Sequence, residues 1–523
     1  MNFIPRLFCF AFVVSILELC ALNIPACAGP EAANAEEVYY RMITLPTPVA
    51  VTSVNSAPET VQMEAGSLCF LGPDKLACSS RIGDIWLARH VLGDDPKPTW
   101  FLFASGLHEI LGLAVKPNDK DGWVYCTQRG EVTRMRDSSG DGRADVFETV
   151  SDAWGVNGDY HEYAFGSKFD RHGNLWVALC LTGSNESRSP FRGWAMQITP
   201  DGKTVPVGSG IRSPGGIGFN AEGDVFYTDN QGTWNGACKL QQIVPGGFFG
   251  HPAGNRWFDD PATKDIIAEA GVKKPLEPES GSRVATEAKR IPELVPPSVY
   301  FPYPTAGDPK MGHSTSGIAP DTTRGKFGPF AGQLFVGEHT DSTVMRVFLE
   351  KVGGHWQGAC FPFRKGFASG VLSLEFARDG SLFTYGTDRG WGARGGNAFA
   401  LQSLRWTGKV PFEIREMRAR ADGFELTFTE PVDEKTVAEP ASYKLETYTY
   451  IYQATYGSPE VDATTPDIKT ITVAPDKMSA RLVVDGLQPG HVHELHAAGV
   501  RSAKGAPLLH DAAYYTLFFL PAK

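Results

Sequence analysis

The side chains best suited to chemistry lie in a short polar run, Gly158-Asp159-Tyr160-His161-Glu162-Tyr163. A neutral imidazole near its ordinary pKa accepts a proton from a hydroxyl, and adjacent carboxylates can orient it. His161 is therefore a candidate general base, with a hydrogen-bonded structural histidine as the competing reading. Glu162 is a candidate channel residue beside it.

A second constellation is Asp137-Ser138-Ser139-Gly140-Asp141-Gly142-Arg143-Ala144-Asp145-Val146-Phe147-Glu148. Asp137, Ser139, Asp141, Arg143, Asp145 and Glu148 stand at the ligand positions of a twelve-residue calcium loop, with Gly142 at its sixth place. Val132-Thr133-Arg134-Met135 before it reads as a strand, so the expectation is a structural Ca2+ site in an inter-strand loop. A metal-free Asp/Gly-rich turn is the alternative. No Cys-x-x-Cys-His run and no close Cys/His pair occur, which disfavours covalent haem and structural zinc.

These groups need a scaffold, and the turns reveal one. Asp170-Arg171-His172-Gly173-Asn174-Leu175-Trp176-Val177, Asn220-Ala221-Glu222-Gly223-Asp224-Val225-Phe226-Tyr227 and Ala377-Arg378-Asp379-Gly380-Ser381-Leu382-Phe383 repeat one pattern of polar turn and apolar strand. Looser copies begin at Ser67, Gly112 and Gly317. Successive marks fall roughly 45 to 55 residues apart, the period of four-stranded propeller blades, with one interval about twice as long. That interval holds residues 259–297, rich in Pro, Lys and Glu, and reads as an excursion from one blade. Six blades follow, with a seventh irregular blade as the alternative. The residues entering each first strand form a column at one mouth of a central channel: Glu64, His108, His161/Glu162, Arg212, His313 and Ser369. Three histidines in that column suggest a substrate channel, although a wet channel needs polar lining in any case.

Composition agrees. The 523 residues include 57 Gly and 37 Pro without a collagen-like period, while 42% hydrophobic and 21% charged residues exclude disorder. An all-β chain is expected. The formal net charge of -10 gives no footprint for nucleic acid or anionic membrane, and suits a small neutral or cationic ligand.

Residues 1–28 read as a signal peptide, apolar over 7–22, with small residues for cleavage near 28–35. Ile24-Pro25-Ala26-Cys27 matches a lipoprotein site poorly, and no later run reaches the ~18 apolar residues of a membrane span. The expected location is periplasmic or extracellular. Cys69, Cys78, Cys126, Cys180, Cys238 and Cys360 remain after the leader. Either disulfides, with Cys69/Cys78 bridging neighbouring strands, or buried free thiols fit that number. The propeller is assigned to 36–408. Past a boundary near 407–411, period-two runs such as Gly423-Phe424-Glu425-Leu426-Thr427-Phe428-Thr429 predict a small immunoglobulin-like β-sandwich over 411–523. There, Tyr448, Tyr450, Tyr452 and Tyr456 form either an aromatic sugar platform or a packing surface.

Several motifs resemble the glucose/sorbosone dehydrogenase family of soluble quinoproteins. His161 opens a strand ahead of an Asp/Gly turn; Gly210-Ile211-Arg212-Ser213-Pro214-Gly215-Gly216-Ile217 keeps the family's Arg, Pro and Gly; and Pro245-Gly246-Gly247-Phe248-Phe249-Gly250-His251-Pro252 is similar to its Pro-Gly-Gly turn. Ser316-Gly317 and Gly332-Gln333-Leu334-Phe335-Val336-Gly337 match a later pair. The likeness runs over about residues 60 to 408 and extends to large secreted dehydrogenase-like propellers of planctomycetes and their relatives.

The resemblance implies a six-bladed propeller that oxidises a sugar or alcohol with pyrroloquinoline quinone (PQQ). His161 would be the base, and Arg212 would polarise oxygen and contact the cofactor. Where the family holds the quinone with Lys and Arg, this chain has Glu338-His339-Thr340-Asp341-Ser342 and Gly370-Val371-Leu372-Ser373-Leu374-Glu375; Arg364, Lys365, Arg389 or Arg394 are candidate substitutes. Without a haem motif, electrons would pass to a separate acceptor. The alternative is a non-catalytic carbohydrate-binding or scaffold propeller that has lost the cofactor site. A metal-dependent lactonase on a similar propeller is a third reading.

Overall fold

Short apolar runs broken by Gly, Asp and Asn produce strands along nearly the whole chain, with only short helices between them. The computed structural model describes residues 35–50, 59–305, 310–390 and 392–522; the expected leader 1–28, and its cleavage region up to residue 34, lie outside the described residues.

Six four-stranded antiparallel units follow in chain order, their first strands being Ala65–Gly72, Gly112–Val115, Ala164–Phe169, Pro214–Phe219, Thr315–Pro320 and Val371–Phe376. Glu64, His108, His161, Arg212, His313 and Ser369 lie one to four residues before these strands. The first strands pack side by side in a closed ring. Ser67 Oγ accepts from Leu113 N, Ser316 Oγ donates to Val371 O, and Ser373 and Glu375 accept from Leu68 N and Phe70 N, joining the sixth unit to the first. Glycine permits this approach: a Cβ on Gly112 would lie 2.3 Å from Gly166 O.

The repeated turn has a local cause. Asp170 accepts hydrogen bonds from His172 N, Asn174 N, Asn174 Nδ2 and Trp176 Nε1, while Gly173 takes φ +83°. Asn220 and Gly223 repeat the arrangement. A short oxygen-bearing side chain closes the turn and the glycine supplies its left-handed residue.

The sixth unit lacks a fourth strand of its own. Tyr40–Leu45 completes it by pairing with Phe399–Trp406, so the start of the described chain closes the ring. In the fourth unit the excursion falls between Cys238–Gln242 and Val299–Phe301 and carries the helices Lys264–Glu269 and Val284–Arg290. Trp257, Ile267 and Val272 pack with third-unit residues, and Ser282 bridges Tyr452, which places the segment on the flank of the units and against the C-terminal region.

Beyond residue 411, two sheets face each other across Met417, Phe424, Leu426, Leu482 and Leu495. One of them is continuous with the fifth unit. Ala512–Leu517 pairs with His355–Arg364 through Gly358/Thr516, Ala359/Tyr515 and Cys360/Tyr514, making an eight-stranded sheet. The shared core also takes in Phe348 and Phe361. An outer edge strand that would otherwise expose its N–H and C=O groups is thereby paired.

All six described cysteines are free and buried, the second of the two alternatives. Cys69 pairs with Ala77 and not with Cys78, and the two thiols enter different core clusters on opposite faces of their sheet.

Candidate functional site

A cavity of about 40 Å³ lies where the first strands begin, walled by Arg81, Tyr163, Asn230, His339, Thr387 and Arg389. His161 borders it through Tyr163 and Arg212 through Asn230; they lie three and two residues before the strands Ala164–Phe169 and Pro214–Phe219.

His161 is half-buried on a main chain gripped from both sides. Arg129 donates to Asp159 O at 2.5 Å and Tyr160 O at 2.9 Å; Arg192, fully buried, donates to Gly155 O, Glu162 O and Tyr163 O at 2.8 to 3.0 Å. The His161 ring meets Tyr160 and Tyr163 edge-on, with centroids 4.9 and 5.6 Å apart. Burial lowers the imidazole pKa; Asp159 opposes this, while Arg212, Arg81 and Arg129 add to it, so the ring is neutral at pH 7 and able to accept a proton.

Arg81 and Arg129 converge on one carboxylate. Glu109 Oε1 takes Arg81 Nε at 3.0 Å and Nη2 at 2.5 Å, and Oε2 takes Arg129 Nε at 2.7 Å together with its Nη2. All three are buried, and the Tyr163 ring lies 4.9 Å from the Arg81 guanidinium. Burial works against the Glu109 charge, yet the two guanidiniums hold its carboxyl below the ordinary range. Across the mouth Arg389 pairs with Glu64, and Arg394 with Asp341 at 3.0 Å.

Arg212 is 5% exposed. Its Nη1 donates to Gln231 O at 2.9 Å and Asn230 O at 3.3 Å, its Nε has no acceptor among the described residues, and its guanidinium occupies the space a Cβ on Gly232 would need. His313 Nδ1 bonds Asp341 Oδ2 at 2.6 Å and meets Tyr303 edge-on. Glu338 behind it is wholly buried, and burial with the Asp341 charge pushes its pKa up to about 8. His339 in the cavity wall is pushed down to about 4 by burial and by Arg81.

Two residues expected in the channel, Glu162 and His108, are placed differently from one another. Glu162 is fully buried, accepting from Asn157 N at 2.6 Å and the Thr182 hydroxyl at 2.7 Å, so it braces the loop. His108 is exposed, and its backbone bonds Gln128 and Arg129. Of the substitute cations, Arg389 and Arg394 reach the mouth. Arg364 is buried against Glu36 and Glu37, with Lys365 beside it, and neither lines the cavity.

The expected calcium ligands are not brought together. Asp137 accepts from Gly140 N, Gly142 N and the Ser139 hydroxyl; Asp145 accepts from Ser138; Asp141 accepts from Arg143 N; Glu148 is drawn to Arg134. Among the described residues no group of three or more His, Cys, Asp or Glu side chains is placed to hold a metal. The loop spends its carboxylates on its own N–H groups.

Sequence reasoning missed Arg81, Arg129 and Arg192. A signal for the first two exists: Thr127-Gln128-Arg129-Gly130 and Thr387-Asp388-Arg389-Gly390 follow equivalent second strands, as Arg81 follows Lys75–Ser80. That column, after the second strand, supplies the mouth's guanidiniums.

No family model and no curated protein matches the chain. Among solved structures with detectable likeness, the PQQ-bound aldose sugar dehydrogenase of Streptomyces coelicolor is 18% identical, with 70% of this chain and 98% of that one covered and a TM-score of 0.46. The apo soluble aldose sugar dehydrogenase of Escherichia coli is 15% identical over 70% and 99%, with a TM-score of 0.40. The holo PQQ domain of pyranose dehydrogenase from Coprinopsis cinerea is 12% identical over 70% and 97%, with a TM-score of 0.42.

Proposed function

We propose that the six units are the blades of a six-bladed β-propeller, followed over 411–523 by an immunoglobulin-like sandwich, and that the chain is an exported quinoprotein-type sugar or alcohol dehydrogenase. One observation carries this reading: a neutral His161, on a loop held by Arg129 and Arg192, lies close to Arg81 and Arg212 and borders a cavity lined by Arg81 and Arg389. The lone Nε of Arg212 and the half-exposed Arg389 suit a polycarboxylate, which needs several charge-assisted partners. Arg81, Arg212 and Arg389 would hold PQQ, and the quinone would supply the hydride acceptor. His161 takes the proton of the substrate hydroxyl at its imidazole nitrogen, and Arg212 polarises the oxygen that changes charge. Tyr160 and Tyr163 keep the imidazole oriented between them.

The second reading, a carbohydrate-binding propeller without cofactor, is favoured by one feature. Arg81, Arg389 and Arg394 are already paired with Glu109, Glu64 and Asp341, so an anionic ligand must displace a carboxylate.

Purified protein mixed with PQQ and calcium, followed by absorbance and by dye-linked oxidation across a sugar panel, separates the two. The dehydrogenase reading expects quinone bound at micromolar concentration and turnover that His161→Ala reduces by a factor of about 10² or more while the quinone stays bound. An absorbance spectrum unchanged by the protein sinks it.

A further inference from the structure

The C-terminal region sends one loop, residues 453–458, to the rim of the mouth. Trp234 N donates to Gln453 O at 2.7 Å, Gly457 N to Gly232 O at 3.0 Å, and Ser458 N to Gly236 O at 3.1 Å, and Thr233 forms a β-bridge with Tyr456. These bonds fix the loop to the turn that accepts from Arg212. The aromatic residues of the region then divide. Tyr448, Tyr450 and Tyr452 are buried, whereas Tyr456 is 69% exposed.

Tyr456 is exposed yet held. One face of its ring rests on the Arg212 guanidinium, 5.3 Å from the centroid. The remaining exposure leaves the opposite face open, and the hydroxyl bonds no described residue. Beside it the Gln231 side chain packs on Gly457, and Thr233 Oγ1 lies 3.0 Å from Asn185 Oδ1. A rigid aromatic face bordered by amides and a hydroxyl has the chemistry of a pyranose subsite: C–H groups stack on the ring and hydroxyls bond the polar edge. Arg212 fills the space beneath, so a sugar on Tyr456 is not the one that reaches His161.

We propose that Tyr456 is the platform of an outer saccharide subsite, contributed by the C-terminal region, and that the substrate class is an oligosaccharide with its reacting unit at His161. This rests on the mouth being a sugar site, with or without the quinone. The test uses the full chain, Tyr456→Ala and Tyr456→Phe. Cellobiose, maltose and xylobiose, beside glucose and xylose, are titrated calorimetrically without PQQ and then assayed with it.

The expected result is a disaccharide affinity about tenfold weaker in Y456A and kept in Y456F, with the KM preference for disaccharide over monosaccharide falling by the same factor. If PQQ does not bind but disaccharide binding still depends on Tyr456, the dehydrogenase reading fails and the subsite stands. Equal disaccharide affinity in the wild type and Y456A overturns the proposal. So does no disaccharide binding by the wild type, or an equal loss on both sugar sizes, which would mark Tyr456 as a support for Arg212 only.

Discussion

Arg192 shows how much of the site is decided by single side chains that never touch a ligand. Its guanidinium donates to four backbone carbonyls, Arg129 O, Gly155 O, Glu162 O and Tyr163 O, and so ties the His161 segment to the third unit. Arg192→Met removes every one of these donors and leaves buried acceptors unmet. The expected cost is about 3 to 5 kcal/mol in urea denaturation, with the His161 loop becoming protease-sensitive before the rest. The placement of His161 was legible because an imidazole between acidic and aromatic residues is unusual at a strand entrance. The setting of Glu162 was not legible, for a physical reason. The residue after His161 turns inward, where Asn157 N and the Thr182 hydroxyl satisfy it, and a sequence lists a carboxylate without saying which way it points.

At the level of elements, the Asp/Gly turn was the most reliable signal, because its cause is local. Asp170 and Gly173 need no distant partner to make the turn, so the spacing of the turns carried over directly into strands. Asp170→Ala deletes four acceptor contacts and should cost about 2 kcal/mol, read as a shift in urea midpoint, whereas Asp170→Asn keeps an acceptor oxygen and should cost less. The calcium expectation finds no support at the same scale. Asp137 and Asp145 have the right spacing, but they bond the N–H groups of their own loop, and Glu148 lies on a strand opposite Arg134. Spacing names the oxygens; backbone geometry decides where they aim.

At the scale of the whole molecule, the start of the described chain meets the C-terminal region. His510 bonds Glu413 at 2.7 Å and Glu36 at 3.1 Å, linking the C-terminal region to the segment that precedes the ring-closing strand. Burial opposes the charge on His510, but Glu413 and Glu36 outweigh it and raise the imidazole to about 9. The folded pKa exceeds the unfolded one, so the stability from this contact is full below about pH 6.5 and is lost as pH rises through about 9. The urea midpoint should fall over pH 7 to 9.5, and His510→Gln should flatten that fall. The eight-stranded sheet makes a second prediction. A chain ending at residue 408 exposes the edge of His355–Arg364 along with Phe348 and Phe361, so it should aggregate or sediment as oligomers where the full chain does not.

The sequence by itself determined the all-β class, the register of the first strands and the positions of His161 and Arg212 at their entrances. Those follow from turn chemistry and alternation, which act over a few residues. Only the tertiary structure decided how the cations around the mouth come together. Arg81, Arg129 and Arg389 come from three different units, and Arg394 from the loop of the sixth, brought together by ring closure across more than 300 residues of chain. It also decided that Tyr456 stands over Arg212 and that 411–523 continues the fifth unit's sheet. Contacts at such sequence separation depend on how whole sheets pack, and no local pattern of residues encodes them.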